Sequence, residues 1–299
     1  MIICHGFFIG IFSCKNKGES RFFHYFMNKD LKAKFPTWVD NNVEGEFTVC
    51  LSDDLDSLLG ATILRELKGY EIKHFYSFED FYSIDNDKRK AIGVDVALMN
   101  GMVWDNHVTM LGKYDKVNNQ SANVNAIMQI SRDNYTKKYA GSTALTMWAY
   151  YGIPLPSTDE GKIMLLSIDS AFKGHYSGFK HVQNGWLEEL GMQELIDIQN
   201  KYDVLDFVKV KRQYDSSKKI FLHNGKLTTQ MNLEGISKLL EISILLPDDI
   251  FYHRKSLDST RIDISKMKSA NKDLIEDKYN REIFSLALTS KNTVSLTFK

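Results

Sequence analysis

Between residues 46 and 169, short apolar runs alternate with helical patterns. Residues 46–51 are a β-branched and apolar run that ends in Ser52-Asp53-Asp54, and leucine, isoleucine and alanine then recur at helical spacing from Leu58 to Leu67. Residues 70–78 and 90–97 predict two further strands. Strands that alternate with helices predict a parallel α/β sheet flanked by helices, in which ligands gather outside the carboxyl ends of the strands.

Three further helices are predicted downstream. Residues 140–151 begin with small residues and are ended by Gly152-Ile-Pro-Leu-Pro, because proline removes an amide donor and disfavours helical backbone before it. Residues 158–169 predict a second helix, and residues 186–198 predict one amphipathic helix. Mixed short elements follow, so we expect an N-terminal extension over 1–45, the α/β domain over 46–185, and a linker helix with a smaller α+β domain over 186–299.

Charge and cysteine usage narrow the setting. The chain has 38 basic and 38 acidic residues, so any polyanion site must be local, although residues 201–299 are mildly basic. The same charge balance gives no attraction to an anionic bilayer, so we expect no membrane partner. Cys4, Cys14 and Cys50 have no spacing typical of disulfides or zinc sites, which favours a reducing cytoplasm. The apolar stretch 1–14 has no basic residue before it and is too short to span a bilayer, so we expect neither a secretion signal nor a membrane span there. A start at Met27 is the alternative to Met1.

Acidic residues follow the predicted strands. Hard divalent cations need several carboxylate oxygens that converge on a small volume. Asp54 and Asp56 lie on the turn after the first strand, and Asp95 follows a buried strand. Asp105 and His107 stand in Trp-Asp-Asn-His, and Asp169 ends a helical segment. Because carboxyl ends of parallel strands meet at one edge of a sheet, these residues predict a metal site there.

These segments resemble, in order, the motifs of the DHH phosphoesterase superfamily, including its RecJ-like and oligonucleotide-phosphodiesterase members. The matching segments are Asp54-Leu-Asp56 with a Gly-Ala helix, Gly93-Val-Asp95, Asp105-Asn106-His107, Ala140-Gly-Ser-Thr-Ala, and Ser167-Ile-Asp169. The resemblance implies two Mn²⁺ or Mg²⁺ ions, with catalytic roles for Asp105 and His107. The metal positions that it implies are Asp54, Asp56, Asp95, Asn106, Asp169 and Cys50.

The chain departs from the motifs at several positions. Cys50 and Asn106 stand where many members of the superfamily have metal-binding histidines, and Ser52 replaces the extra acid of RecJ-like members. Asp95 and Asp105 are closer in sequence than is usual, and the C-terminal half has no Gly-Gly-Gly-His loop. These differences predict weakened binding at one of the two metals.

The expected reaction is hydrolysis of a phosphodiester or phosphoanhydride by a metal-activated hydroxide. The expected substrates are single-stranded DNA, short oligonucleotides, signalling nucleotides such as cyclic dinucleotides, or pyrophosphate. The predicted substrate contacts are Ser142, His175, Lys173 and Lys180. No Walker loop or dinucleotide-binding fingerprint is present, so ATPase and dinucleotide roles have no support.

Other interpretations stay open. A haloacid-dehalogenase-type phosphatase would use Asp54 as the nucleophile and Asp56 as the acid and base. A catalytically weakened nucleotide- or nucleic-acid-binding protein would explain Cys50 and Asn106. Each residue also has a purely structural explanation: Asp54, Asp56 and Asp169 as helix caps, Cys50 as a buried strand residue, and the lysines as solvated surface.

Overall fold

The computed structural model describes residues 27–267 and 270–299. The apolar stretch 1–14, Cys4 and Cys14, and the choice of Met1 as the start lie outside these residues. In the described part, no helix is long and apolar enough to cross a membrane.

Helices and strands alternate through the first half of the chain, and short antiparallel strands dominate its end. The helices are α1 Lys29–Lys32, α2 Leu55–Lys68, α3 Val124–Ile127, α4 Thr143–Tyr151, α5 Asp159–Ser167, α6 Lys180–Glu189, α7 Gln193–Lys201, α8 Val204–Gln213, α9 Leu233–Leu240 and α10 Lys272–Tyr279. The strands are β1 Thr48–Leu51, β2 Glu71–Tyr76, β3 Asp80–Ser83, β4 Ala91–Val94, β5 Val103–Trp104, β6 Ser121–Ala122, β7 Ile220–His223, β8 Lys226–Thr229, β9 Tyr252–Ser256, β10 Asp258–Asp263, β11 Ile283–Ser290 and β12 Thr293–Phe298.

A mostly parallel, seven-stranded sheet with the order β6-β5-β4-β1-β2-β3-β9 forms the centre of the fold. Strands β6, β5, β4, β1 and β2 are parallel, whereas β3 and β9 are antiparallel additions at one edge. This confirms the predicted α/β class. The chain goes from β1 to β2 on one side and then returns to β4 on the other, so the crevice between β1 and β4 is the expected ligand position.

Two features of the fold differ from the sequence pattern. Loops connect β4 to β5 and β5 to β6, although the pattern predicts helices between parallel strands. The prediction of one helix over 186–198 is wrong, because α6 ends at Glu189 and α7 begins at Gln193. Gly191 separates them with a φ of 70°, a left-handed conformation that glycine adopts without the steric cost of a side chain.

The main hydrophobic core crosses both predicted domain boundaries. Met27 and Leu31 from the N-terminal segment pack in it, as do Leu187, Phe207 and Phe251 from beyond residue 186. A second, smaller core lies against the three-stranded sheet β10-β12-β11 and contains Ile275, Leu286 and Val294, among others. The second core also includes Val108, Leu111 and Ile130, so residues from the α/β part of the chain pack against this C-terminal sheet.

Candidate metal centre

The turn after β1 places the first pair of acids. Asp54 is the N-cap of α2, and its carboxylate accepts a hydrogen bond from the Ser57 N–H at 3.3 Å. This contact satisfies one of the amide groups that a helix leaves unpaired at its start. The Asp54 side chain is 34% exposed. Its carboxylate therefore caps a helix and remains partly exposed.

Asp56 is buried and connects two helices. Its carboxylate oxygens accept the backbone N–H groups of Thr143 at 2.9 Å and Ala144 at 2.7 Å, at the N-terminus of α4. Burial and the charges of Asp95 and Asp54 raise the pKa of Asp56 well above its usual value, against the hydrogen bond from Ala144. Both oxygens are thus engaged in joining α2 to α4.

Asp95 follows β4 in a left-handed conformation with a φ of 56°. Few residues other than glycine, asparagine and aspartate adopt this conformation readily. The Thr143 hydroxyl donates to its carboxylate at 2.8 Å. Burial, followed by the charge of Asp54, raises the pKa of Asp95 to about 7, and His107 opposes this shift. The site therefore holds this carboxylate close to other negative charge.

Asp105 and His107 form a pair at the end of β5. Asp105 is 1% exposed, and its carboxylate lies 2.7 Å from His107 Nδ1 while its other oxygen accepts from the Asn123 amide at 2.8 Å. Burial alone would lower the pKa of His107, but the charge and hydrogen bond of Asp105 outweigh it and raise the value to about 10. The Asp105 carboxylate thus favours the protonated form of the His107 ring.

Asp95, Asp105 and His107 together could hold a metal ion. Each offers one ligand atom, and these three atoms lie within 4.8 Å of one another. Two carboxylates with one imidazole suit Mn²⁺, Fe²⁺ or Zn²⁺ better than Mg²⁺, which prefers oxygen ligands alone. The donor set fits a divalent cation for a second reason: the carboxylates at this end of the sheet raise one another's pKa, and a cation would neutralise that repulsion.

Asn106 and Asp169 lie beside this group. The Asn106 side-chain amide donates to the Gly141 carbonyl at 2.6 Å and to Asp169 at 3.4 Å. Asp169 also accepts the N–H of Ser170 at 2.9 Å. Asn106 thus uses its N–H groups to connect the turn before α4 with the end of α5, and Asp169 acts on Asp56 and His107 by charge alone.

The group Asp95, Asp105 and His107 leaves out Asp54, Asp56, Asn106 and Asp169, and three more predicted site residues have other contacts. Cys50 lies in an apolar cluster with Tyr76, Val96 and Leu257, and burial raises the pKa of its thiol to about 12, so it stays a neutral thiol. Ser142 is buried and caps α4 by accepting the Leu145 N–H at 3.0 Å. His175 is buried, and its Nδ1 lies 2.8 Å from the Asn184 side-chain oxygen. These contacts are structural.

The sequence reasoning did not identify two lysines near the acids. Lys219 Nζ lies 2.8 Å from Asp53 and 3.2 Å from Asp54, and Lys211 donates to the Ser167 carbonyl at 2.7 Å. Both lie more than 40 residues from these partners, so no local spacing could have indicated them. The role of Thr143 could have been predicted, because this residue belongs to the segment Ala140-Gly-Ser-Thr-Ala that was matched to a motif.

No family model, curated protein or solved structure matches this chain. The function is therefore inferred from the geometry of the site.

Proposed function

We propose that this protein is a divalent-metal-dependent phosphoesterase with a DHH-like site that binds one cation at Asp95, Asp105 and His107. The observation that supports the proposal most is the convergence of these three side chains at the carboxyl ends of neighbouring parallel strands. A single ion is favoured over two, because Asp56 is engaged with α4 and Asp54 with α2 and Lys219. Mn²⁺ suits the donor set best among the ions expected.

The residues of the site have separate roles in this proposal. A bound divalent cation would polarise the phosphoryl group and lower the pKa of a bound water. Asp95 and His107 would each lose a proton to bind the cation, so metal affinity should rise with pH. Asn123 fixes Asp105, and Thr143 fixes Asp95. Lys219, whose side chain is 57% exposed, can stabilise negative charge on the phosphate.

The proposal is tested with the full chain and Mn²⁺, Zn²⁺ or Mg²⁺ added one at a time. Metal binding is measured by calorimetry, and hydrolysis is followed with bis(p-nitrophenyl) phosphate and a labelled thymidine oligonucleotide. We expect Asp95→Asn to abolish stoichiometric binding and to lower the rate by at least about 100-fold. Asp80→Asn is the matched control, because Asp80 also pairs with a histidine, His253, at 2.9 Å but lies on the surface.

Equal loss in both variants, or unchanged metal binding in Asp95→Asn, would contradict the proposed centre.

A second candidate function is that of a phosphate-binding protein that does not hydrolyse its ligand. This candidate is favoured because two expected metal ligands are already hydrogen-bonded to the protein. Asp56 accepts two backbone N–H groups of α4, and the Asn106 side chain donates to the Gly141 carbonyl. The same assays separate the two candidates, because oligonucleotide binding without hydrolysis under any of the three metals supports this one.

The dehalogenase-type interpretation is less well supported by the geometry. Asp56 would have to exchange a proton with the leaving group, but both of its oxygens accept backbone N–H groups. Asp54 would be the nucleophile, yet it caps α2 and pairs with Lys219. A phosphorylated Asp54 trapped in the presence of substrate would be the result that favours it.

A further inference from the structure

A basic cleft lies beside the metal centre. Its volume is about 530 Å³, which is typical of sites for small ligands. Four cationic side chains line it, against one carboxylate, Asp215: Lys173, Lys211, Arg212 and Lys218. We refer to this feature as the basic cleft. The buried ring of Phe172, which stacks on Phe207 with 4.6 Å between ring centroids, fixes the segment that carries Lys173.

Most of these charges have no acidic partner. Among residues 27–267 and 270–299, Lys173, Arg212 and Lys218 form no ion pair, while Lys211 donates to a backbone carbonyl. Lys211 and Arg212 also lie in the last turn of α8, where cations stabilise a helix. That effect does not account for Lys173 and Lys218, which come from other segments and face the same cavity. Such convergence of unpaired cations is typical of a site for anions.

The basic cleft adjoins the metal centre along two segments. Ser170 lines the cleft, and its N–H binds Asp169, which in turn contacts Asn106 between Asp105 and His107. On the other side, Lys218 lines the cleft while the next residue, Lys219, pairs with Asp53 and Asp54. Along both segments, a residue that lines the basic cleft is thus followed or preceded directly by one that contacts the site: Asp169 before Ser170, and Lys219 after Lys218.

We propose that the basic cleft binds a phosphate group next to the one that is hydrolysed, and that the substrate is a short single-stranded oligonucleotide. This inference rests on the proposed function for the position of the reacting phosphate. A substrate with a single phosphate would leave the four cations unused. A sugar–phosphate chain places anionic groups at the regular intervals that two adjacent sites require.

The test separates the basic cleft from the metal centre by measuring binding in EDTA. Fluorescence anisotropy follows a fluorescein-labelled hexathymidylate over a range of salt concentrations, with inorganic phosphate as competitor. We expect Lys173→Ala combined with Arg212→Ala to weaken binding roughly tenfold, and to reduce the slope of log affinity against log salt by about 0.7 for each lost phosphate contact. Lys209→Ala is the control, because Lys209 is exposed on α8 but does not line the cleft.

The possible outcomes distinguish this inference from the proposed function. Weakened binding in the cleft variant, with wild-type binding in the control, supports the inference even if no metal gives hydrolysis, in which case only the proposed function fails. Equal binding by the cleft variant and the wild type overturns the inference, even if the wild type hydrolyses the oligonucleotide. Displacement of the oligonucleotide by inorganic phosphate at equal concentration also overturns it, because it would indicate a site for free phosphate.

Discussion

Asp95→Asn should stabilise the metal-free protein at neutral and alkaline pH while removing its metal affinity. In the wild type the Thr143 hydroxyl donates to the Asp95 carboxylate at 2.8 Å, and asparagine keeps an oxygen that can accept this hydrogen bond. It also tolerates the left-handed φ of 56° at this position. The substitution therefore removes the charge with little change of shape, and the repulsion within the carboxylate group should decrease.

The magnitude follows from the pKa of Asp95, which burial and Asp54 raise from 3.8 to about 7. Because the folded state binds this proton more tightly than the unfolded state, the contribution to stability is fully present below pH 3.8. It is lost as the pH rises through about 7. The difference between a pKa of 3.8 in the unfolded state and about 7 in the folded state lowers the free energy of unfolding above pH 7 by an amount on the order of 4 kcal/mol. Asp56 and His107 change stability in the same direction, so the informative quantity is the difference between wild type and variant.

Urea unfolding in EDTA at a series of pH values from about 5 to 9 measures this difference. The free energy of unfolding of the wild type should fall relative to that of Asp95→Asn as the pH rises. Adding Mn²⁺ should restore stability in the wild type alone. Asp80→Asn is the control: hydrogen bonding to Ser256 lowers the pKa of Asp80, so its contribution changes only at more acidic pH.

A metal-free Asp95→Asn protein that is less stable than the wild type at pH 8 would refute this reasoning. It would mean that the ionised Asp95 is stabilised by the fold and is not held against repulsion.

Three further predictions follow from the site and the fold. Asp105→Asn removes the charge that holds the imidazolium, so the pKa of His107 should fall from about 10 toward its usual value, as NMR titration of the ring would show, and an unchanged pKa would exclude the pairing. Asn106→His should raise the metal affinity measured by calorimetry, because histidine would add a metal ligand at this position. A lower affinity would show that Asn106 serves the site through its hydrogen bond to Gly141 instead. Gly191→Ala should destabilise the protein by about 1 kcal/mol because its φ is 70°, whereas Gly185→Ala inside α6 should stabilise it by about 0.5–1 kcal/mol; equal effects in thermal unfolding would contradict this.

Local pattern was sufficient for the elements that carry the acids. The apolar run before Ser52 became β1, and the helical spacing from Leu58 became α2, because each pattern matches one regular period and one buried face. The same rule failed over residues 186–198, where the apolar period continues across Gly191 although the backbone turns. Periodicity describes which face is buried and is not sensitive to a break between two helices that bury the same face.

The sequence by itself determined the class of the fold and the acids at the ends of its strands, since strand, turn and helix signals are local. Only the tertiary structure decided which acids meet. Asp95, Asp105 and His107 come together because β4 and β5 are neighbours, whereas Asp56 turns to the amides of α4 and Cys50 to an apolar cluster. Lys219 reaches Asp54 across 165 residues. Such pairings depend on which surfaces pack together, and sequence spacing carries no information about them.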